Sequence, residues 1–125
     1  VIGSNNWHTP DLLERAGAYA EGAVLVDGFA PENPAPAVAA VVEAYRSAYQ
    51  EEPDILAAQA YDATAMVLSA LKDKQDGPDA VRNGLLAIKD FPGISGTATV
   101  TPNGDVQKKL FLLTVESGKF RLLAE

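Results

Sequence analysis

The 125-residue sequence has no cysteine and only one histidine, one tryptophan and one methionine. Without cysteine there is no disulfide, thiolate nucleophile or sulfur ligand, and compartment redox state leaves no mark. A Cys–His pair is excluded, and a Ser–His–Asp set would rest wholly on His8. Positive charge is also scarce: ten Lys and Arg stand against seventeen Asp and Glu, a formal charge of −7. Such a surface repels phosphate backbones and anionic lipid, so nucleic acid is not an expected partner. No uninterrupted apolar run would span a bilayer. The opening VIGSNNWH has neither the basic start nor the apolar stretch of a secretory signal. No Gly-rich phosphate loop follows any strand. Asn103-Gly104-Asp105 lacks the spaced acidic ligands of a calcium loop and reads as a tight turn. No metal and no cofactor is expected.

What remains is a chain built to fold. Apolar residues make up 47% of it and punctuation by Pro and Gly is regular, which argues against disorder. The length allows one domain or a piece of something larger. Val1-Ile2-Gly3-Ser4 reads as the end of a buried strand without lead-in or partner, so a fragment is expected.

Thr9 can cap a helix whose first position is Pro10 and whose first turn carries Asp11, with Gly17 ending it. Ala23 to Val26 form an apolar run suited to a strand covered on both faces. Residues 30–37 (APENPAPA) are too rich in proline for a helix interior. From Pro36 the period changes: Val38, Val41, Val42, Tyr45 and Tyr49 mark an amphipathic helix with Glu43, Arg46 and Gln50 outside. Asp54 caps the next helix, expected over Ile55 to Lys72. Leu56, Ala60, Ala63, Val67 and Leu71 lie along one side of it, small enough together to admit a close neighbour. A turn over 73–79 precedes a third helix with Val81, Leu85 and Ile88 inward. The tail reads as strand, turn at 103–105, strand through the apolar Leu110 to Leu113, turn at 116–119, and a last short strand with Phe120 and Leu122. The order is β-α-β, three helices, then β: an α/β chain.

Few residues invite chemistry. His8, beside a helix start, is explained as a polar loop residue. Tyr61 and Asp62, adjacent on a helix, point about 100° apart and do not aim at one target. The favoured reading has the Tyr61 ring packed and Asp62 bonded to a neighbouring loop. Trp7, after Asn5 and Asn6, follows a strand end, where open α/β folds hold ligands. It is equally a packed Trp in a polar loop.

Together these stretches resemble a family. AEG before a short apolar strand, the Pro-rich segment, AYRSAYQEEPD (44–54), AAQAYDA (57–63) and GISGTATVTPNGDV (93–106) follow in order. In this they are similar to the later part of the branched-chain amino acid (Leu/Ile/Val-type) solute-binding proteins of ABC transporters. Val100-Thr101 stands where the family's hairpin has an aromatic-Asp pair. The resemblance covers about the last third of such a receptor. It implies part of a periplasmic-binding-protein type I fold: two Rossmann-like lobes joined by crossings, with solute held between them. Residues 1–28 would belong to the second lobe, 29–36 to a crossing, 37–106 to the first lobe and 107–125 to the second again, with another crossing near Asp105-Val106.

The resemblance also implies site residues and partners. Leu56 takes a ligand-facing position that is often aromatic, leaving Tyr61 and Asp62 structural. Asn5 takes the position of the carboxylate that pairs with an amino-acid ammonium. An amide cannot neutralise a buried cation, which turns the expectation toward a neutral or anionic organic solute that Trp7 could stack on. The implied partners are a small-molecule solute, a membrane permease, the missing amino-terminal part of the receptor and a second copy of the fragment. The implied location is periplasmic or extracellular, with a lipid anchor on the full protein, and no enzyme activity is implied. The runner-up is a ligand-sensing domain of a receptor or amide-type regulator.

Overall fold

The computed structural model describes residues 1–71 and 77–124, and the residues form two sheets with helices against them. The first unit begins with strand β1 (Ile2–Gly3), a 3-10 turn (Asn5–Trp7) and helix α1 (Pro10–Ala16), and returns to strand β2 (Val24–Asp27). β1 and β2 are parallel, Ile2 opposite Val24. The Thr9 hydroxyl accepts from the Leu12 amide at 3.4 Å, and Gly17 closes α1 at a φ of 51°. Both helix ends thus fall where the sequence placed them. β6 (Phe111–Glu116) joins β2 antiparallel and β7 (Lys119–Ala124) lies outside it, giving the order β1-β2-β6-β7. The apolar run at 110–113 does occupy an interior strand, although Leu110 itself stays outside it.

Leu25, Phe111, Leu113, Val115 and Phe120 form the core of this unit, covered by Leu12, Leu13 and Ala16 of α1. β2 was expected to be covered on both faces. Instead Leu25 and Asp27 are buried while Val24 and Val26 are half-buried. The reason is that α1 covers one side of the sheet only.

The second unit holds α2 (Pro36–Tyr49), α3 (Ile55–Leu71), α4 (Pro78–Leu86) and a small antiparallel sheet of β3 (Phe91–Gly93), β4 (Gly96–Val100) and β5 (Val106–Lys108). Val38 and Val42 of α2 pack with Ala58 of α3, Ile94 and Phe29. Tyr49, expected inward, is exposed and leans on Tyr45 with ring centres 4.6 Å apart. Asp54 caps α3 as expected, its Oδ1 accepting from the Ala57 amide at 2.8 Å. The stripe Leu56, Ala60, Ala63, Val67 and Leu71 does share one side of α3, but that side is exposed. The face turned to the core is Ala58, Asp62 and Met66, because the β3–β4 turn and α2 lie there. Close helix approach occurs where α3 meets α4: a Cβ on Gly84 would come within 2.9 Å of the Ala70 Cβ. The turn expected at 73–79 falls mainly on residues 72–76, outside the described residues.

Two passages connect the units. One covers residues 28–35, where Phe29 packs into the second core and its neighbour Ala30 into the first. The other is Lys109-Leu110, since Val106 still pairs with Val100 and Lys108 with Ala98 inside the small sheet. β3 and the separation of β5 from β6 are absent from the sequence reading.

Candidate functional site

β1 and β2 run parallel, so their carboxyl ends open on the same edge of the sheet. Open α/β sheets hold ligands beyond such ends. From β1 comes the loop Asn5-Asn6-Trp7-His8; from β2 come Asp27, Gly28 and Phe29. Opposite stand the α2–α3 loop and the start of α3. Between them lies a cavity of about 840 Å³, with Asn5, Asn6 and His8 on one wall and Pro53, Ile55 and Leu56 on the other. The volume lies within the range of small-molecule sites, roughly 300–1,000 Å³.

Asn5 and Leu56, separated by fifty residues of chain, therefore meet on one cavity. Both are exposed, Leu56 with 69% of its surface accessible. Trp7 departs from the ligand-stacking alternative, for it does not line the cavity. Its indole lies across Gly3, where any Cβ would overlap the ring. The residue as a whole stays 37% exposed.

His8 lies in the loop ahead of α1, as the sequence reading has it, and its ring is paired with a buried carboxylate that the sequence does not reveal. The Asp27 carboxylate is buried at 2% exposure. Its Oδ1 accepts the amides of Gly28 at 2.6 Å and Phe29 at 3.3 Å. Its Oδ2 lies 2.6 Å from His8 Nδ1. An ionised carboxylate only accepts, so Nδ1 is the ring's donor. The His8 ring also meets Phe120 edge-on, centroids 4.6 Å apart at 77°. Asp27 carried no sequence signal beyond ending an apolar run, and nothing in the sequence ties it to a residue nineteen positions earlier.

On the far wall Arg46 donates to Glu52 through Nε at 2.6 Å and Nη2 at 2.9 Å, which pins the α2–α3 loop to α2. The hydrogen bonds to Glu52 raise the Arg46 pKa above its ordinary value, so the guanidinium stays charged. Among the described residues no cluster of His, Asp or Glu is arranged to hold a metal. Nor is any described helix long and apolar enough to cross a membrane.

Asp62 lies away from the cavity and bonds a neighbouring loop, as expected. Its Oδ1 accepts from the Ile94 amide at 2.8 Å and its Oδ2 from the Ser95 amide at 2.9 Å, and the Ser95 hydroxyl completes the set. Lys108 Nζ lies 3.6 Å from Oδ2. Tyr61 is half exposed rather than packed.

Two small α/β units facing each other across a cavity define a class of hinged, two-lobed binding folds. The family follows from the sequence itself: a profile of the periplasmic binding protein family matches residues 2–119, and the chain belongs to that family. It is similar in structure to a protein from Rhodospirillum rubrum assigned as a branched-chain amino acid ABC transporter. The two share 28% identity and a TM-score of 0.91 over 98% of this chain and 36% of that one. An ABC transporter substrate-binding protein of Desulfitobacterium hafniense, solved in complex with Leu, gives 28% identity and a TM-score of 0.78 over 98% and 35%. A solute-binding protein of an ABC transporter from Rhodopseudomonas palustris BisB5, in complex with 3,4-dihydroxybenzoic acid, shares the fold. It gives 24% identity and a TM-score of 0.83 over 99% and 36%. A search among curated proteins gives no significant match. The chain spans about 36% of the length of the first of these structures.

Proposed function

We propose that the chain forms part of an ABC-transporter solute receptor and supplies two walls of the cleft that captures a small polar solute. The observation that carries this is the meeting of Asn5 and Leu56 on one cavity between the two units. The loop after β1 and the start of α3 are remote in sequence, and the fold brings them face to face. Residues 1–28 and the end strands β6 and β7 would belong to one lobe, and α2 through β5 to the other. Closure would turn one lobe against the other at residues 28–35 and 109–110.

The neighbours bind leucine in one case and 3,4-dihydroxybenzoic acid in another. Asn5 favours the second kind here, because a buried ammonium needs a carboxylate that an amide does not replace. The whole receptor would work outside the cytoplasmic membrane, periplasmic or held by a lipid anchor, and hand its solute to a permease. The 125 residues alone would bind weakly or not at all and would associate with a second copy, since exposed strand edges and the outer face of α3 lack cover.

The test is a thermal-shift screen of the complete receptor with amino acids, aromatic acids and their amides. A rise in Tm with a carboxylate or amide solute is expected. A strong response to leucine or valine alone would overturn the inference from Asn5, and silence across the panel would overturn the cleft.

A further inference from the structure

We infer that His8 contacts the captured solute, with Asp27 as the positioning residue that holds its ring so that Nε2 meets an oxygen function of the ligand. The inference rests on the cleft reading above and names a contact within it.

Four observations converge on the ring. Nδ1 is committed to Asp27 Oδ2 at 2.6 Å, so Nε2 is the one ring nitrogen left for anything in the cavity. Among the described residues Nε2 takes no hydrogen-bond partner, and no polar side-chain atom is both sealed from solvent and unpartnered. Nε2 is therefore not sealed from solvent, and His8 lines the cavity. The ring cannot swing freely, because Phe120 holds its edge while Asp27 holds its Nδ1.

The Asp27 carboxylate argues against a role confined to packing. Burying a carboxylate at 2% exposure is costly unless each oxygen is satisfied. Here two backbone amides and the imidazole do so. The loop itself is already fixed by main-chain bonds from Trp7 to Ser4, His8 to Asn5 and Thr9 to Trp7, at 3.0, 2.9 and 2.9 Å. What the carboxylate adds is a chosen tautomer and ring orientation, as carboxylates do for working histidines.

The ligand chemistry follows from the tautomer. With Nδ1–H directed at Asp27, a neutral ring offers Nε2 as an acceptor for a hydroxyl. A protonated ring offers Nε2–H to a carboxylate. Arg46, the other basic residue on the cavity wall, is already held through two hydrogen bonds by Glu52. An oxygen function entering on the β1 side would thus be met by His8 together with the Asn5 and Asn6 amides.

The experiment titrates the complete receptor calorimetrically with benzoate, catechol, 3,4-dihydroxybenzoate and leucine, in wild type and in His8→Phe and His8→Gln. His8→Phe keeps a ring against Phe120 and removes the nitrogen; His8→Gln keeps a polar tip. At least one probe is expected to bind wild type, to lose tenfold or more in affinity with His8→Phe, and to recover part of it with His8→Gln. Loss confined to benzoate and leucine marks a carboxylate contact; loss confined to catechol marks a hydroxyl. Nitrogen NMR of labelled histidine, assigned by the signal missing in His8→Phe, should show Nε2 moving when the probe binds. Asp27→Asn should alter the Nδ1 resonance and lower affinity together. If a probe binds wild type and His8→Phe within twofold and Nε2 stays put, the inference is overturned while the cleft stands. If wild type binds none of the probes the inference is overturned, and if nothing in the wider screen binds either, the cleft reading fails with it. Should His8→Phe fail to fold, His8→Gln supplies the assignment of the His8 signals, and the Nε2 response in wild type decides.

Discussion

The Asp62 carboxylate occupies the space that a Cβ on Gly93 would need, with Oδ2 2.5 Å from that position. The glycine is required by this approach, and the approach lets one buried side chain collect the amides of Ile94 and Ser95. Gly93→Ala should therefore destabilise the complete receptor by roughly 1–3 kcal/mol, the usual cost of forcing atoms into a packed site. Asp62→Ala should cost about 3 kcal/mol or more, since it strands two buried amides and the Ser95 hydroxyl. Urea unfolding of both variants checks the pair. Wild-type stability in Gly93→Ala would show that the turn moves aside freely.

Asp54 tests the α3 start independently. Its bond to the Ala57 amide is short, at 2.8 Å, whereas the Thr9 bond that starts α1 is 3.4 Å. Asp54→Ala is expected to cost about 1 kcal/mol and Thr9→Ala less than that. Thermal unfolding of the two variants should preserve the order.

Leu56 separates binding from stability. At 69% exposure it contributes little to the core, so Leu56→Lys should leave stability within about 0.5 kcal/mol. The same variant should weaken solute capture roughly tenfold or more, by placing a solvated cation on the cavity wall. A parallel loss of Tm would instead mark Leu56 as structural.

Asn5 tests selectivity. Asn5→Asp supplies the charge that an amino-acid ammonium lacks in the wild type. Leucine affinity should rise about tenfold or more, given that a charge-assisted hydrogen bond exceeds the 1.4 kcal/mol this requires. Carboxylate solutes without an amine should bind less well to the same variant. Calorimetry on both solute types reads the exchange directly.

The outer side of α3 carries Tyr61, Val67, Leu68 and Leu71, all exposed. The 125-residue chain alone should self-associate through this side or through its open strand edges, and Val67→Glu with Leu68→Glu should reduce association. A strictly monomeric wild-type chain by light scattering at working concentration would refute the expectation.

The local signals were legible because their causes are local. Thr9, Pro10, Gly17 and Asp54 act within a few residues of themselves, and the structure places each cap where the sequence does. The α3 stripe was misassigned in its packing because a helix of alanines and leucines has apolar residues on every side. Which side is buried depends on where the β3–β4 turn docks, and Asp62 decided that. β3 was missed because Phe91–Gly93 is short and contains a proline, so it carries almost no strand signal. The cavity was half legible: Asn5 and Leu56 followed from resemblance to a family. The His8–Asp27 pair needed the parallel register of β1 and β2, which no spacing along the chain reveals.

Phe29 and Ala30 are successive residues buried in different cores. Their shared peptide is consequently clamped from both sides and cannot slide. The two-residue link at Lys109-Leu110 offers little slack either. Two such fixed points determine a straight line, and the proposed swing of one unit against the other would run about it without disturbing either interior. Spacer residues inserted at 109–110 should loosen that axis and blur the swing. The same insertion beyond Ala30, within 31–35, should matter far less.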